Sequence, residues 1–459
     1  MQREKIVLVG AGSAMFTRGL VADLIRRGWD MDLGLVDTDP EGLRVAEGLT
    51  RKMIEARRAP IRLDAATDVR AVLQDATAVI CTIGVGGRRA WEKDVFIPRK
   101  YGIYQPVGDS VMPGGTSRAL RMIPPMVEVA KAVLDLCPRA LFFNYGNPMA
   151  AVCRGVRKAT GAPVVGLCHG VHHVAHGLAR ALDVPFEDLR YTALGINHLT
   201  WFTELRVRGH DALPRLREIA REKLALAQSL AENMGKRFAE AGTAEREPKL
   251  EDLNPFCWKL FLVFGAYPAV GDRHVTEFFP NLCPGGLYYG KKLGLETFSL
   301  EQTTAWGDKI FEEMRATALS AQPLDAAYFD QFSGEHEQVV DIIDGIRADS
   351  GRVYSVNLPN QGQVPNFPPA AVIECPAVAT GSGLKPLAHG PVSSGLAGAL
   401  ATRFGWVETV AEAAIEGSRE KFIQALILDG CVPSVDVAEK LAAELLEAHA
   451  PYLPRFAKK

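Results

Sequence analysis

The chain has 459 residues, 47% of them hydrophobic and 23% charged, with a formal net charge of -2. That length exceeds what one small core organises, so two lobes are expected, and a balanced charge with no long basic run gives no nucleic-acid surface. The opening MQREKIVLVGAG enters a strand at once, and no run of about 18 apolar residues follows, which argues against a secretory signal and a membrane span.

In chain order, KIVLVG (5–10) is a short apolar run ending in glycine, and LGLVD (33–37), ATAVICTIG (76–84), ALFFNYGN (140–147) and PVVGLCH (163–169) share its character. Helical patterns lie between them, at 13–28 and 116–136. Buried strands alternating with helices imply a parallel, doubly wound Rossmann-type α/β sheet. Beyond about residue 190 the pattern changes. Residues 191–207 read as strands, 215–241 as a long polar helix, 352–378 as strands broken by proline, and 393–450 as helical. The division expected is 1–195 for a dinucleotide-binding domain and 196–459 for an α+β domain. Eight scattered cysteines without a C-x-x-C pair read as reduced thiols of a cytoplasmic protein.

The first strand runs into Gly10-Ala11-Gly12-Ser13. Two glycines allow a tight turn and close backbone approach to a pyrophosphate, whose charge suits the N-terminus of the following helix. Asp37, 25 residues past Gly12, ends the second strand, where a carboxylate binds both ribose hydroxyls and points to NAD more than NADP. The third glycine of G-x-G-x-x-G is replaced by Met15. Thr82 and Gly86, in CTIGVGG (81–87), and Asn144 and Asn147, in NYGNP, end the next strands at the edge where such sheets bind ligands; Arg88 follows the first of these loops.

Cys168 and His169 end the next strand, and His198 lies 30 residues on in GINHLTWF. No C-x-x-C pair is present to accompany the histidines of 169–176, which argues against a structural zinc finger. A thiolate and an imidazole from neighbouring strand ends would leave coordination positions open for substrate oxygens. His172 and His176 share a helix face but lack a nearby acid, and they read as helix surface.

Together GAGS, VDTD, YGIYQPVGDSVMPGG, NYGNPM, GLCHG, GINHLTWF, PAVGDRHVTEFFP and NLPNQGQVPNFPP resemble the NAD- and divalent-metal-dependent glycosidases of glycoside hydrolase family 4, nearly end to end. The likeness is strongest to the α-galacturonidase branch, with the α-galactosidases next. It implies a homodimer or homotetramer acting on a small carbohydrate. It also implies NAD, Mn2+ or another divalent ion held by Cys168 and His198, and a reaction that is an exception to two-carboxylate hydrolysis: oxidation at C3, elimination across C1–C2, addition of water, and re-reduction. The resemblance assigns the base to Asp272, with Tyr267, Asp109 and His274 as further proton-transfer groups. His169, where family members acting on phosphorylated sugars carry Asp or Asn, implies an unphosphorylated substrate. Arg273 and His274 would then meet a uronate carboxylate. The rival readings are a lactate/malate-type hydroxyacid dehydrogenase, which would need no metal, and a non-catalytic NAD sensor.

Overall fold

The structure, a computed structural model, describes residues 3–234, 249–332 and 338–457. β1 (Glu4–Val9) shows how the sheet is built. Ile6 and Leu8 enter one apolar core while Val7 and Val9 enter the other. A strand buried on both faces reads as an unbroken apolar run, which is why KIVLVG carries no alternation.

Parallel to β1 lie β2 (Met31–Val36), β3 (Ile61–Ala66), β4 (Ala78–Cys81), β5 (Leu141–Asn144) and β6 (Val165–Gly166), in the order β3-β2-β1-β4-β5-β6. This is the Rossmann order, with its switch point between β1 and β4. Five of the six strands overlap the expected runs. β3 was not anticipated: it is an edge strand with only Ile61 fully buried, so its sequence IRLDAA lacks the apolar run of its neighbours.

The sheet does not end at β6. β7 (Leu189–Ile196) and β8 (Leu199–Val207) form a hairpin, β9 (His210–Asp211) pairs with β8, and β10 (Tyr267–Ala269) lies on its far side. After the separate ribbon of β11 (Leu287–Tyr288) and β12 (Lys291–Lys292), β13 (Val353–Pro359) and β14 (Val372–Thr380) insert between β6 and β7, with β15 (Gly383–Pro386) beside β14. The result, among the described residues, is one mixed sheet of 13 strands that passes across residue 195, because β7 pairs with both β14 and β8.

The expected long helix runs over Leu213–Met234; residues 235–241 of that expectation lie outside the described residues. The helical C-terminus forms three helices, Ser394–Glu416, Arg419–Leu428 and Val435–Ala448. Among the described residues no helix is long and apolar enough to cross a membrane.

Candidate active site

The turn after β1 is shaped by what surrounds its glycines. Gly10 sits at φ +90, and a β-carbon there would lie 2.7 Å from Ile83 N and 2.8 Å from the Thr82 carbonyl carbon. The Gly12 N–H donates to Asp37 Oδ2 at 2.8 Å, and a β-carbon on Gly12 would meet that same oxygen at 2.8 Å. Asp37 Oδ1 accepts the Asp39 N–H, and the Thr82 hydroxyl donates to the Gly10 carbonyl. Asp37 and Thr82 are thus drawn onto the glycine turn, at the sheet's switch point. Ser13 Oγ accepts the Phe16 N–H, and the helix begins only at Thr17. Met15 is 46% exposed, so no close helix–strand contact demands a third glycine there. Gly86 takes φ +78 at the start of the helix Gly87–Arg99, where a β-carbon would lie 3.0 Å from the Tyr452 ring.

Two expected contacts fall elsewhere. Asn144 is fully buried and bonded into its own turn: its Nδ2 donates to the Gly146 carbonyl and its Oδ1 accepts the Gly146 N–H. It builds the turn that presents Asn147 and has no amide group left for a ligand. Arg88 is held by Asp308 at 2.5 Å, against the helix Leu300–Leu319, an ion pair that turns it to a neighbouring helix.

Three elements converge beyond the carboxyl ends of β5 and β6. The first is the loop before the helix Met112–Leu136, which supplies Asp109 and Ser110. The second is the β7–β8 hairpin, whose two-residue turn is Asn197–His198. The third is the helix Asp272–Phe278, which supplies His274. Ligand atoms of Asp109, His198 and His274 all lie within 4.8 Å of one another. Ser110 Oγ bonds His198 Nδ1 at 2.8 Å, Asn147 Nδ2 donates to Asp109 Oδ2 at 2.9 Å, and the two imidazoles are 4.1 Å apart by ring centroid. His198 holds φ +67, a conformation that costs a residue with a β-carbon about 1–3 kcal/mol. Burial opposes ionisation of Asp109, but His198, His274 and Arg118 outweigh it and bring its carboxyl down to about 2. Burial and His198 hold His274 well below the ordinary histidine range, and its buried Nδ1 has no hydrogen-bond partner among the described residues.

Cys168 does not join this trio at that spacing. It lies two residues beyond β6 with Sγ 3.4 Å from the Gly170 N–H, in a stretch packed against Val270. His169 is exposed at the same strand end and enters the electrostatics of His198, His274 and Glu374.

The Asp272 carboxylate is committed elsewhere. It is 0% exposed and accepts the Phe256 and Cys257 N–H groups, each at 2.8 Å, and the Tyr288 hydroxyl at 2.6 Å. In return Asn254, which precedes that helix, accepts the Asp272 N–H. Each residue thus caps the other's helix, Pro255–Phe264 and Asp272–Phe278. The expected base is therefore a helix cap in this arrangement. Tyr267 is likewise buried, packed on Trp258, and burial pushes its hydroxyl well above the ordinary tyrosine range.

The same helix contributes two other groups. Arg273 is largely buried, donates to Thr303, and has an Nε with no hydrogen-bond partner among the described residues. Glu277 accepts the Val107 and Gly108 N–H groups, fastening the Asp109 loop, and burial and then Asp109 push its carboxyl up to about 8. Neither Glu277 nor Ser110 was singled out in the sequence. Glu277 stands three residues after His274, a helical spacing visible within GDRHVTEFF.

Residues 5–184 match the family 4 glycosyl hydrolases and residues 193–432 match their C-terminal domain. The chain belongs to glycosyl hydrolase family 4. An α-galacturonidase of Bacillus subtilis (strain 168) is 31% identical over 460 residues, covering 96% of this chain and 97% of that one. An α-glucosidase of Erwinia rhapontici is 29% identical over 472 residues, covering 98% of each chain. A 6-phospho-α-glucosidase from gut microorganisms, solved in complex with NAD and Mn2+, shares the fold with a TM-score of 0.79 at 19% identity, over 99% of each chain. This glycoside hydrolase has the α/β architecture with a Rossmann-type half that its sequence led one to expect.

Proposed function

We propose that this family 4 enzyme is an NAD- and divalent-metal-dependent α-glycosidase whose substrate is an unphosphorylated α-galacturonide. The observation that carries the reading is the trio of Asp109, His198 and His274 at the edge of the sheet that also holds the glycine turn. A carboxylate and two imidazoles suit Mn2+, and an unpartnered buried nitrogen on His274 fits an ion as its partner. Cys168, at the neighbouring strand end, is a further donor. Gly10 and Gly12, with no room for β-carbons, fit close approach of a pyrophosphate, and Asp37 fits the ribose hydroxyls.

When bound, NAD supplies oxidation and re-reduction at C3, and the metal supplies Lewis-acid polarisation. The chain's own residues orient the sugar. Asn147 Oδ1, buried and with no hydrogen-bond partner among the described residues, accepts a sugar hydroxyl. His169, exposed at the end of β6, gives its proton to the departing glycosidic oxygen. Arg273, a largely buried guanidinium in the field of Asp109 and Glu277 whose Nε has no hydrogen-bond partner among the described residues, receives the uronate carboxylate.

The test is a panel of aryl α-galacturonide, α-glucuronide, α-galactoside and α-glucoside assayed with NAD and Mn2+. The galacturonide is expected to give the highest kcat/KM. Arg273→Ala is expected to lower the uronide-over-galactoside ratio about 10- to 100-fold, the worth of a charged hydrogen bond. Faster turnover of the galactoside by the parent, or an unchanged ratio in Arg273→Ala, would overturn the substrate reading.

A further inference from the structure

Glu374 lies near the start of β14, 1% exposed, and no step above uses it. It stands opposite Gly195 of β7 in the sheet, so its side chain reaches the turn that follows Ile196. One oxygen, Oε2, accepts from both sides of that turn: from Thr200 Oγ1 at 2.7 Å and from Asn197 Nδ2 at 3.4 Å. Between these two residues the turn carries His198 at φ +67. Thr200 Oγ1 also lies 3.1 Å from the Ile196 carbonyl, which ties the first strand of the hairpin to the same point. A two-residue turn with a β-carbon-bearing residue in the left-handed region does not hold itself, since that conformation is ordinarily left to glycine or asparagine. Burying a carboxyl at the centre of a sheet is costly unless it has a task. Here its acceptor is aimed at the two residues that bracket the imidazole.

We propose that Glu374 is a positioning residue for His198: its carboxyl clamps the Asn197–Thr200 turn and so fixes the direction in which the imidazole meets the metal. Ser110, on Nδ1, orients the ring about its own bond; Glu374 fixes the backbone beneath it. This inference rests on the reading that His198 holds the divalent ion.

The experiment titrates the full chain with Mn2+ in the absence of sugar, following free Mn2+ by electron paramagnetic resonance, and measures the thermal midpoint of each variant. Glu374→Leu is expected to weaken Mn2+ binding about 10- to 100-fold, the usual effect of losing an orienting partner behind a ligand. Glu374→Gln keeps a carbonyl oxygen for Thr200 and Asn197 and is expected to restore most of the affinity. Thr200→Val removes one donor with little change of volume, and it weakens binding in the same direction should Glu374→Leu not fold. Ile343→Ala, in the core on the other face of the sheet, serves as a control that lowers the midpoint without touching the turn. Parental Mn2+ affinity in Glu374→Leu or Thr200→Val, equal weakening in Glu374→Gln and Glu374→Leu, or equal weakening in Ile343→Ala would each overturn the proposal. His198→Ala separates the two claims. Undiminished Mn2+ binding in that variant removes the metal reading itself, whereas its loss beside an unaffected Glu374→Leu overturns only the clamp.

Discussion

Replacing Asp272 with alanine separates two roles for a residue that sequence resemblance assigns to catalysis and geometry assigns to capping. The substitution strands three buried donors: the N–H groups of Phe256 and Cys257 and the hydroxyl of Tyr288. A buried donor left unmade costs about 1–3 kcal/mol, and the loss of a helix cap about 1 kcal/mol. With partial relaxation, Asp272→Ala should therefore cost about 3–5 kcal/mol, a large share of the roughly 5–15 kcal/mol by which folded domains are stable. Tyr288→Phe removes a single donor and leaves the carboxylate two partners, so it should cost about 1 kcal/mol. Urea unfolding followed by tryptophan fluorescence reads both. If Asp272→Ala unfolds within about 1 kcal/mol of the parent while losing proton exchange at the sugar C2, the capping argument is refuted and the residue is a base.

Glu277 provides a pH test. Its folded pKa is raised to about 8 by burial and by Asp109, so the protonated carboxyl is favoured in the fold and stability falls as pH rises from the ordinary glutamate value toward 8. Urea midpoints in EDTA should show Glu277→Gln gaining on the parent across that window; a constant difference would contradict the assignment. Gly12→Ala should force Asp37 off the turn, because the new β-carbon meets Oδ2 at 2.8 Å and Gly42 Cα at 3.3 Å. Its affinity for NAD, read by fluorescence quenching, should fall at least about tenfold, or ~1.4 kcal/mol, and parental affinity would count against the cradle.

Much of the Rossmann half was legible because each of its features is local. Each apolar run is a short continuous stretch, the glycines of the turn and Asp37 all lie between residues 10 and 37, and each has a physical signature. What the sequence does not carry is the insertion of β13 and β14 between β6 and β7, a pairing of segments nearly 200 residues apart that no periodicity encodes. The site divides along the same line. His198, His274, Asp109 and Asn147 are polar residues in stretches that end strands or open helices, and they meet. Asp272 stands beside His274 in sequence, yet the helix turns its carboxylate toward Phe256 and Cys257, because a helix start with no side-chain cap of its own lies there. Asn144 is ambiguous for a related reason: an amide two residues before a glycine and three before Asn147 can serve a ligand or its own turn, and in the structure it bonds the Gly146 backbone.

The central claim, that this fold breaks a glycosidic bond through removal of the C2 proton, is tested most directly by hydrolysing an aryl α-galacturonide in D2O with NAD and Mn2+ and locating deuterium in the product by NMR. Deuterium at C2 of the released sugar, lost together with turnover on addition of EDTA, is the predicted result. Turnover at full rate with protium retained at C2 would contradict the account.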